Sequence, residues 1–375
     1  MPSTPRHALQ SPPSPASELI EPVARRLGVF ARKVAFHVLN PSVRESCIER
    51  TTLRPLSRLY YEARDGWRAP LFMLPAAPGG SGEPVILAHA LGAHPDTFRF
   101  GADVTLAGAL RRAGFTVYLL GHRGDADAVP PRPGVGFDFD DVLNLDVPAA
   151  VARVREHSGA QRVLWVGHGL GGQLGLAWAS RSGREDLAAV VSMCAPVTFD
   201  PSSMRTEVRR IARASALLPS HWNLPSRAVA WASVPWMNGE SERLAGAASR
   251  TAGPRLRGLL SQGVDDLPVG LLQQLNSWMR RGSWTDRTGG VDYAEGLVDA
   301  RSDLLVVVAE DDALCPVQAG LAAAAFWGGR TESLRLPAGW SHLDPLTATD
   351  AAEQVHDPVV RWLGARRELA WTAPS

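Results

Sequence analysis

One stretch of the chain combines a short apolar run, a cluster of glycines and the start of an apolar helix. Residues 162–166 are mostly apolar and contain Val and Trp, which favour a short buried strand. The sequence Gly-His-Gly-Leu-Gly-Gly at 167–172 predicts a sharp turn, and residues 173–179 predict a helix behind it. Strand, tight turn and helix form the context in which a G-x-S-x-G motif presents a nucleophile. The middle position of this motif is Gly169, so the turn is recognisable and its nucleophile is missing.

The composition excludes several classes of function. The chain has 375 residues, with 45% hydrophobic and 21% charged residues, as expected of an ordinary globular protein. Its net charge of +1 gives no electrostatic reason to expect nucleic acid as a partner. Lys33 is the only lysine, which argues against a Walker-type phosphate loop and against a Schiff-base enzyme.

The cysteines are too few and too scattered for a disulfide scaffold or a zinc cluster. They are Cys47, Cys194 and Cys315, and we expect buried free thiols in a reducing compartment. No charged segment followed by an apolar run opens the chain, and no apolar run is long enough for a membrane span. We therefore expect a cytoplasmic protein that uses neither a metal nor another cofactor.

The chain divides into a tail, an N-terminal segment, an interrupted core and an insertion. Residues 1–17 are rich in Pro and Ser, which predicts a disordered tail. Residues 18–50 predict a basic amphipathic helical segment that packs on the domain's own surface, with peripheral membrane contact as the alternative. Residues 51–197 and 301–368 alternate short apolar runs with helical patterns, whereas 198–300 does not. The insertion predicts a helical cap over the carboxyl ends of the strands.

The alternation predicts a mainly parallel sheet with helices on both faces. The predicted strands are 85–88, 115–120, 163–166, 187–193, 304–309 and 333–336, and the predicted helices include 104–113, 141–157, 318–327 and 351–363. A β-hairpin turning at Asp65-Gly66 is predicted ahead of them, over residues 54–74. In the predicted cap, one amphipathic helix is marked by apolar residues at helical spacing, namely Leu271, Leu272, Leu275 and Met279.

Several motifs together resemble the α/β-hydrolase superfamily. The turn at 167–172 resembles its common GHSLGG, and 306–316 resembles its strand followed by a loop with Asp four residues before Pro. Residues 339–344 resemble the G-x-x-H segment that carries the base, and 89–92 resemble the H-G-x-G loop. Residues 138–150 are similar to segments of acid lipases and polyhydroxyalkanoate-synthase-like proteins. The order of nucleophile, acid and base is that of the superfamily.

The resemblance implies an acid, a base and an oxyanion hole. Asp312 would be the acid and His342 the base, with the neighbouring Asp311 as the alternative acid. A buried carboxylate fixes the tautomer of an imidazole and stabilises its protonated form. The backbone N–H groups of Leu170 and Leu91 would form the oxyanion hole.

Other polar residues near strand ends are candidates for ligand contacts or for holding loops. We expect His89 and His168 to lie at the binding site, and the loop 122–125 to be held by its own Arg–Asp pair. Cys194 and Cys315 are considered as substitute nucleophiles, but a buried structural thiol is the favoured interpretation for both. No acidic or cysteine ligands accompany the histidines at metal-site spacing, so no metal site is predicted.

Gly169 stands where the α/β-hydrolase motif has its nucleophile, and this difference limits the chemistry that the resemblance implies. Glycine has no side chain, so no acyl-enzyme can form there, and the cysteine required of a polyhydroxyalkanoate synthase is also absent. Loss of a triad serine costs roughly 10⁶-fold in kcat. Glycine also relieves the strain of the positive-φ turn that a nucleophile must adopt.

Three functions remain open. The first is an enzyme with a capped pocket for an acyl ester-like or other hydrophobic small molecule, which performs hydrolysis or proton transfer without a covalent intermediate. The second is an inactive ligand-binding or regulatory relative of such enzymes. The third, less favoured, is an esterase or lipase whose serine has been mutated.

Overall fold

The computed structural model describes residues 57–99, 105–125, 127–181, 186–200, 202, 206–233, 250–251 and 253–372. The predicted tail (1–17) and the predicted N-terminal helical segment (18–50) lie outside the described residues. None of the helices that the structure describes is long and apolar enough to cross a membrane.

An eight-stranded sheet forms the centre of the described region. Its strands are β1 (Ser57–Glu62), β2 (Arg68–Leu74), β3 (Pro84–Ala88), β4 (Thr116–Leu120), β5 (Val163–His168), β6 (Leu187–Met193), β9 (Asp303–Ala309) and β10 (Thr331–Leu336). They lie in the order β1-β2-β4-β3-β5-β6-β9-β10. Within this sheet β2 runs antiparallel to β1 and β4, and the pairs from β4 to β10 are parallel. The predicted hairpin and the mainly parallel sheet are therefore confirmed.

Helices connect the strands and cover both faces of the sheet. They are α1 (Leu106–Arg112), α2 (Phe139–Asp141), α3 (Val147–Ser158), α4 (Leu170–Ser180), α5 (Thr206–Ser215), α6 (Ser226–Ser233), α7 (Gly253–Gln262), α8 (Val269–Arg281), α9 (Tyr293–Gly296), α10 (Val317–Phe326), α11 (Asp344–Thr347) and α12 (Asp357–Gly364). Two π-helical turns, Val142–Asp146 and Ala352–His356, lead into α3 and α12.

The core consists of two apolar layers separated by the sheet. Successive residues of a strand point to opposite faces, so Ile86 packs with α3 and α4 while Val85 packs with α1 and α12. The central strands β3, β5 and β6 are buried along their whole length and mostly apolar, because both of their faces are covered. This rigid sheet fixes the positions of the loops at its carboxyl edge.

The regular alternation stops after β6 and resumes at β9. Between them the described residues include α5 to α9 and a two-stranded ribbon, β7 (Asn223–Leu224) and β8 (Leu267–Pro268), which pairs apart from the main sheet. The predicted amphipathic helix is α8, in which Leu271, Leu272 and Met279 are buried. The assignment of 198–300 as a cap stays a prediction.

One buried histidine makes the stability of the fold sensitive to acid. His356 is fully buried, its Nε2–H donates to the carbonyl of Pro345 at 3.2 Å, and its Nδ1 has no partner among the described residues. Burial lowers the pKa of His356 to about 4. As the pH falls below 6.5, this histidine becomes protonated in the unfolded chain, whereas in the folded chain it stays neutral down to about pH 4. The free energy of unfolding therefore decreases as the pH falls from 6.5 to 4.

We expect His356→Gln to remove this part of the acid sensitivity. Between pH 6.5 and 4 the wild type should lose up to about 3 kcal/mol more of its free energy of unfolding than the variant. Urea unfolding at several pH values measures the difference. The control is His221→Gln at an exposed histidine, which should follow the wild-type profile; parallel wild-type and His356→Gln profiles would contradict the assignment.

Candidate functional site

The strand, turn and helix predicted around Gly169 are present. β5 ends at His168, α4 begins at Leu170, and Gly169 between them has φ 53° and ψ −116°. A Cβ at Gly171 would lie 2.0 Å from the carbonyl oxygen of Ala88, so the helix can cross β3 this closely only without a side chain there. Residue 169 therefore lies in a tight turn at the carboxyl edge of the sheet.

Asp312 and His342 meet beside this turn. Asp312 follows β9, His342 follows β10, and the His342 Nδ1–H donates to Asp312 Oδ2 at 2.8 Å. The other oxygen of Asp312 accepts from the backbone N–H groups of Leu314 and Cys315 at 2.8 and 2.9 Å. Burial by itself raises the pKa of Asp312, but His342 and these donors outweigh it and hold the pKa below its ordinary value. Asp312 is thus ionised and holds the imidazole in one tautomer.

The alternative acid serves a different purpose. Asp311 is exposed, and its Oδ2 accepts from the backbone N–H of Gly339 at 2.7 Å. That bond ties the two loops together without reaching the imidazole, so the geometry pairs Asp312 with His342.

The free nitrogen of His342 faces Gly169, the predicted nucleophile position. An ideal Cβ built on Gly169 would lie 3.4 Å from His342 Nε2 and 3.0 Å from the Cβ of Ala90. The first distance means that a side chain at position 169 would contact the imidazole of His342. The second distance shows that the methyl group of Ala90 borders the same space. In the sequence, the only sign of this contact is that Ala90 replaces the Gly usual in the H-G-x-G loop.

Two backbone donors stand at the predicted oxyanion hole. Leu91 and Leu170 line the same cavity as Gly169 and His342. Leu170 is the first residue of α4, so its N–H has no acceptor within the helix. Among the described residues, neither this N–H nor that of Leu91 has an acceptor in the structure. The N–H of Gly171 donates to the carbonyl of His89 at 3.0 Å, which holds the two loops together.

The predicted binding residues His89 and His168 are buried and are not among the described residues that line the cavity. Burial lowers the pKa of His168 to about 3, so its ring is neutral and its Nε2–H donates to the carbonyl of His342 at 2.9 Å. Burial also opposes protonation of His89, but Asp125 outweighs it and raises the pKa. His89 Nε2 lies 3.1 Å from Asp125 Oδ2 and Nδ1 lies 3.0 Å from the carbonyl of Ala90. Both histidines therefore support loops at the site.

The expected ion pair within the loop 122–125 was wrong. Arg123 Nη2 donates to Asp146 at 2.7 Å and Nη1 donates to Asp65 at 2.7 Å, while Asp125 pairs with His89. The two charged side chains therefore pair with residues of other elements, and within the loop Asp125 Oδ2 accepts from the backbone N–H of His122 at 2.9 Å.

Two groups of side chains have metal-ligating atoms within 4.8 Å of one another in the described part of the chain. They are His89, His122 and Asp125, and His168, Cys194 and His342. The rings of the first histidine pair are stacked at 4.3 Å and 25°, so their in-plane lone pairs do not converge on one ion. In the second group, His168 Nε2 already bonds to the carbonyl of His342, and His342 Nδ1 already bonds to Asp312. Burial raises the pKa of the Cys194 thiol well above its ordinary value. The geometry is that of hydrogen-bonded side chains.

An apolar cavity of about 280 Å³ opens on Gly169 and His342. Its walls come from the strand-end loops and from α5 and α8; the described lining residues are Ala90, Leu91, Phe139, Gly169, Leu170, Gln173, Cys194, Pro196, Phe199, Val208, Ile211, Leu267, Leu271, Leu272, Leu275, Trp278, Leu314 and His342. None of these carries a carboxylate or a guanidinium. The cavity suits an uncharged, largely apolar group.

Comparisons with known proteins agree with this architecture. A family model described as alpha/beta hydrolase fold matches residues 83–349, whereas a search of curated proteins finds no match. Among solved structures, a thermophilic esterase from Thermogutta terrifontis is 17% identical, with 84% of this chain and 99% of that chain covered and a TM-score of 0.54. A putative aryl esterase from Burkholderia cenocepacia is 19% identical, with 83% and 100% covered and a TM-score of 0.56.

A monoacylglycerol lipase from Paleococcus ferrophilus is 16% identical, with 79% of this chain and 99% of that chain covered and a TM-score of 0.54. At such identities the likeness to solved structures concerns the fold alone. The family model spans well over half of the chain and confirms the resemblance drawn from the motifs. The chain belongs to the α/β-hydrolase fold family.

Proposed function

We propose that this protein is an enzyme that acts on uncharged acyl compounds without a covalent intermediate. His342 would act as a general base, with Asp312 stabilising its protonated form and the N–H groups of Leu91 and Leu170 stabilising an oxyanion. The observation that carries the proposal is the position of His342 Nε2, which faces the space left by the missing side chain at Gly169.

A water molecule or a substrate group beside His342 Nε2 would take the part that a serine hydroxyl otherwise takes. In hydrolysis, His342 Nε2 takes a proton from water as the water oxygen bonds to the carbonyl carbon, and the carbonyl oxygen becomes an oxyanion. When the tetrahedral intermediate collapses, the bond to the leaving alkoxide breaks and the imidazolium returns the proton to it. In proton transfer, the same nitrogen removes a proton from a substrate C–H or O–H. Asp312 stays ionised throughout.

The cavity lining supports an apolar substrate. Apart from His342, its described polar side chains are Gln173 and Cys194; the amide of Gln173 donates to the carbonyl of Pro196 at 2.8 Å, and the Cys194 thiol is neutral. A charged substrate would lose its hydration without gaining a partner among these residues. An acyl chain or an aromatic group would instead be surrounded by Leu, Phe and Trp side chains.

A second candidate is a binding protein without turnover. The Asp312–His342 hydrogen bond joins the loops that follow β9 and β10, so it has a structural use that does not require catalysis. Such a protein would hold the same apolar ligands in the same cavity.

Removal of the base separates the two candidates. We expect His342→Ala to lower turnover of acyl esters by about 100-fold or more, because general-base catalysis contributes about 10²- to 10⁴-fold. Exchange of the α-hydrogens of acyl ligands in D₂O covers proton-transfer chemistry. The matched control is His221→Ala at an exposed histidine. If wild type and His342→Ala both stay at the background rate while an uncharged fluorescent fatty-acid amide still binds, the enzyme proposal is wrong and the binding protein is supported.

A further inference from the structure

Three large apolar side chains are exposed along α5 and the loop that follows it. Ile211 is 45% exposed, Leu217 is 88% exposed and Trp222 is 52% exposed. We call these three residues the apolar ridge. Single exposed apolar residues are common, whereas several of them close together mark a surface that contacts another molecule.

Contacts with α8 bring the residues of the apolar ridge close together. Ile211 lines the apolar cavity together with Leu275 of α8. The carbonyl of Leu218 accepts from the side chain of Gln273 at 2.8 Å, and the carbonyl of Trp222 accepts from the first N–H of α8 at 2.9 Å. Positions 269 to 275 span about 9 Å of helix. The apolar ridge therefore lies beside the first two turns of α8.

The apolar cavity reaches the surface at the apolar ridge. Among the described residues that line this cavity, Ile211 is the only one that is exposed. Gly169 and His342 line the same cavity and are buried. A ligand that enters past Ile211 therefore passes the apolar ridge.

Positive charge accompanies the apolar ridge. The sequence from 208 to 230 contains four arginines and no aspartate or glutamate, although the whole chain has a net charge of only +1. Arg210 and Arg213 are exposed on α5, on either side of Ile211 in the chain. Arg227 lies 3.8 Å from Asp265, so the charge that faces outward comes from α5.

We propose that the apolar ridge and the exposed arginines of α5 dock on an anionic lipid bilayer. The aliphatic side chains would enter the acyl region, tryptophan is favoured at the boundary of the head groups, and arginines attract anionic head groups. A second copy of this chain suits the surface less well, because a symmetric contact would bring the arginines of both copies together.

Docking would open the mouth of the apolar cavity toward the lipid. An apolar ligand would then pass from the bilayer to the cavity without crossing water, which disfavours it. The docking itself does not require turnover at His342. Only the use of the delivered ligand as a substrate rests on the proposed function.

Sedimentation of the full chain with vesicles tests the proposal. We expect binding to vesicles of phosphatidylglycerol and phosphatidylcholine, weakened by high salt, and little binding to phosphatidylcholine alone. Leu217→Ser/Trp222→Ser should lower the partition coefficient at least about 10-fold, and Arg210→Gln/Arg213→Gln should lower it about 10-fold. All four side chains are exposed, so both variants should keep the wild-type Tm.

The matched control is Val298→Ser/Trp371→Ser, which removes side chains that are 60% and 42% exposed elsewhere and should sediment as the wild type does. His342→Ala should also sediment as the wild type does, so failure of the proposed function would leave this result unchanged. The proposal is overturned if the wild type does not sediment with anionic vesicles, or if Leu217→Ser/Trp222→Ser sediments equally well. A lower mass of that variant in light scattering, with unchanged sedimentation, would overturn it in favour of a contact between copies.

Discussion

The double variant Ala90→Gly/Gly169→Ser is expected to acquire a covalent mechanism. It should be labelled by a fluorophosphonate probe that leaves the wild type unlabelled, and its turnover of short acyl esters should rise on the order of 10³-fold. This is part of the roughly 10⁶-fold that a triad serine contributes to kcat. The proposed acid (Asp312), the proposed base (His342) and the proposed backbone donors lie beside Gly169, so the variant supplies the hydroxyl oxygen that the proposed site lacks.

The double variant is needed because two residues share the space. A Cβ at 169 would lie 3.0 Å from the Cβ of Ala90, which is closer than ordinary packing allows, and 3.4 Å from His342 Nε2. Ala90→Gly removes the crowding methyl group and restores the residue usual in the H-G-x-G loop. We therefore expect Gly169→Ser alone to gain less activity than the double variant.

The matched control separates chemistry from strain. Ala90→Gly/Gly169→Ala carries the same side-chain strain at φ 53° without a hydroxyl group. Both variants should lose about 1–3 kcal/mol of stability, and only the serine variant should be labelled. A folded serine variant that stays unlabelled would contradict the assignment of His342 as the base for this position.

The centre of the sheet was predictable because its strands are buried on both faces. Continuous apolar runs mark such strands directly, and the predicted strand 187–193 coincides with β6 (Leu187–Met193). The segment 198–300, predicted as a cap, has one comparable signal, the amphipathic pattern of α8. The ribbon of β7 and β8 has only two residues in each strand, too few for a periodic pattern.

The sequence allowed the residues of the candidate site to be predicted, but not which of their side chains contact one another. Asp311 and Asp312 are equivalent in the sequence, and only the direction of each side chain decides which carboxylate reaches His342. His89 finds its partner Asp125 across two strand ends, 36 positions along the chain. Such pairings depend on how loops lie beside one another at the edge of the sheet, which local sequence does not specify.

The buried ion pair of Arg123 provides the largest stability prediction. Arg123 is 1% exposed, and its Nε and Nη2 donate to Asp146 Oδ1 at 2.9 and 2.7 Å. Its backbone N–H donates to the other oxygen of Asp146 at 3.1 Å. Burial raises the pKa of Asp146 to about 6 even though Arg123 opposes the rise. Removing the guanidinium would leave a buried carboxylate without its counter-charge.

We expect Arg123→Met to lower the free energy of unfolding by about 3–5 kcal/mol at pH 8. The loss should shrink as the pH falls. Without the guanidinium, the pKa of Asp146 in the folded variant would rise further above its value in the unfolded chain. The folded variant therefore binds a proton at a pH at which the unfolded chain does not. Lowering the pH thus stabilises the variant relative to wild type. Urea unfolding at pH 8 and pH 5 measures both values.

Two further variants make the result specific to the buried pair. Arg123→Met/Asp146→Asn removes both charges and should recover much of the stability, because the uncompensated carboxylate is gone. Arg335→Met breaks the pair with Glu310, where the arginine side chain is 54% exposed, and should cost less than about 1 kcal/mol. If Arg123→Met cost no more than Arg335→Met, the polar loop after β4 would owe its position to its backbone hydrogen bonds and not to this ion pair.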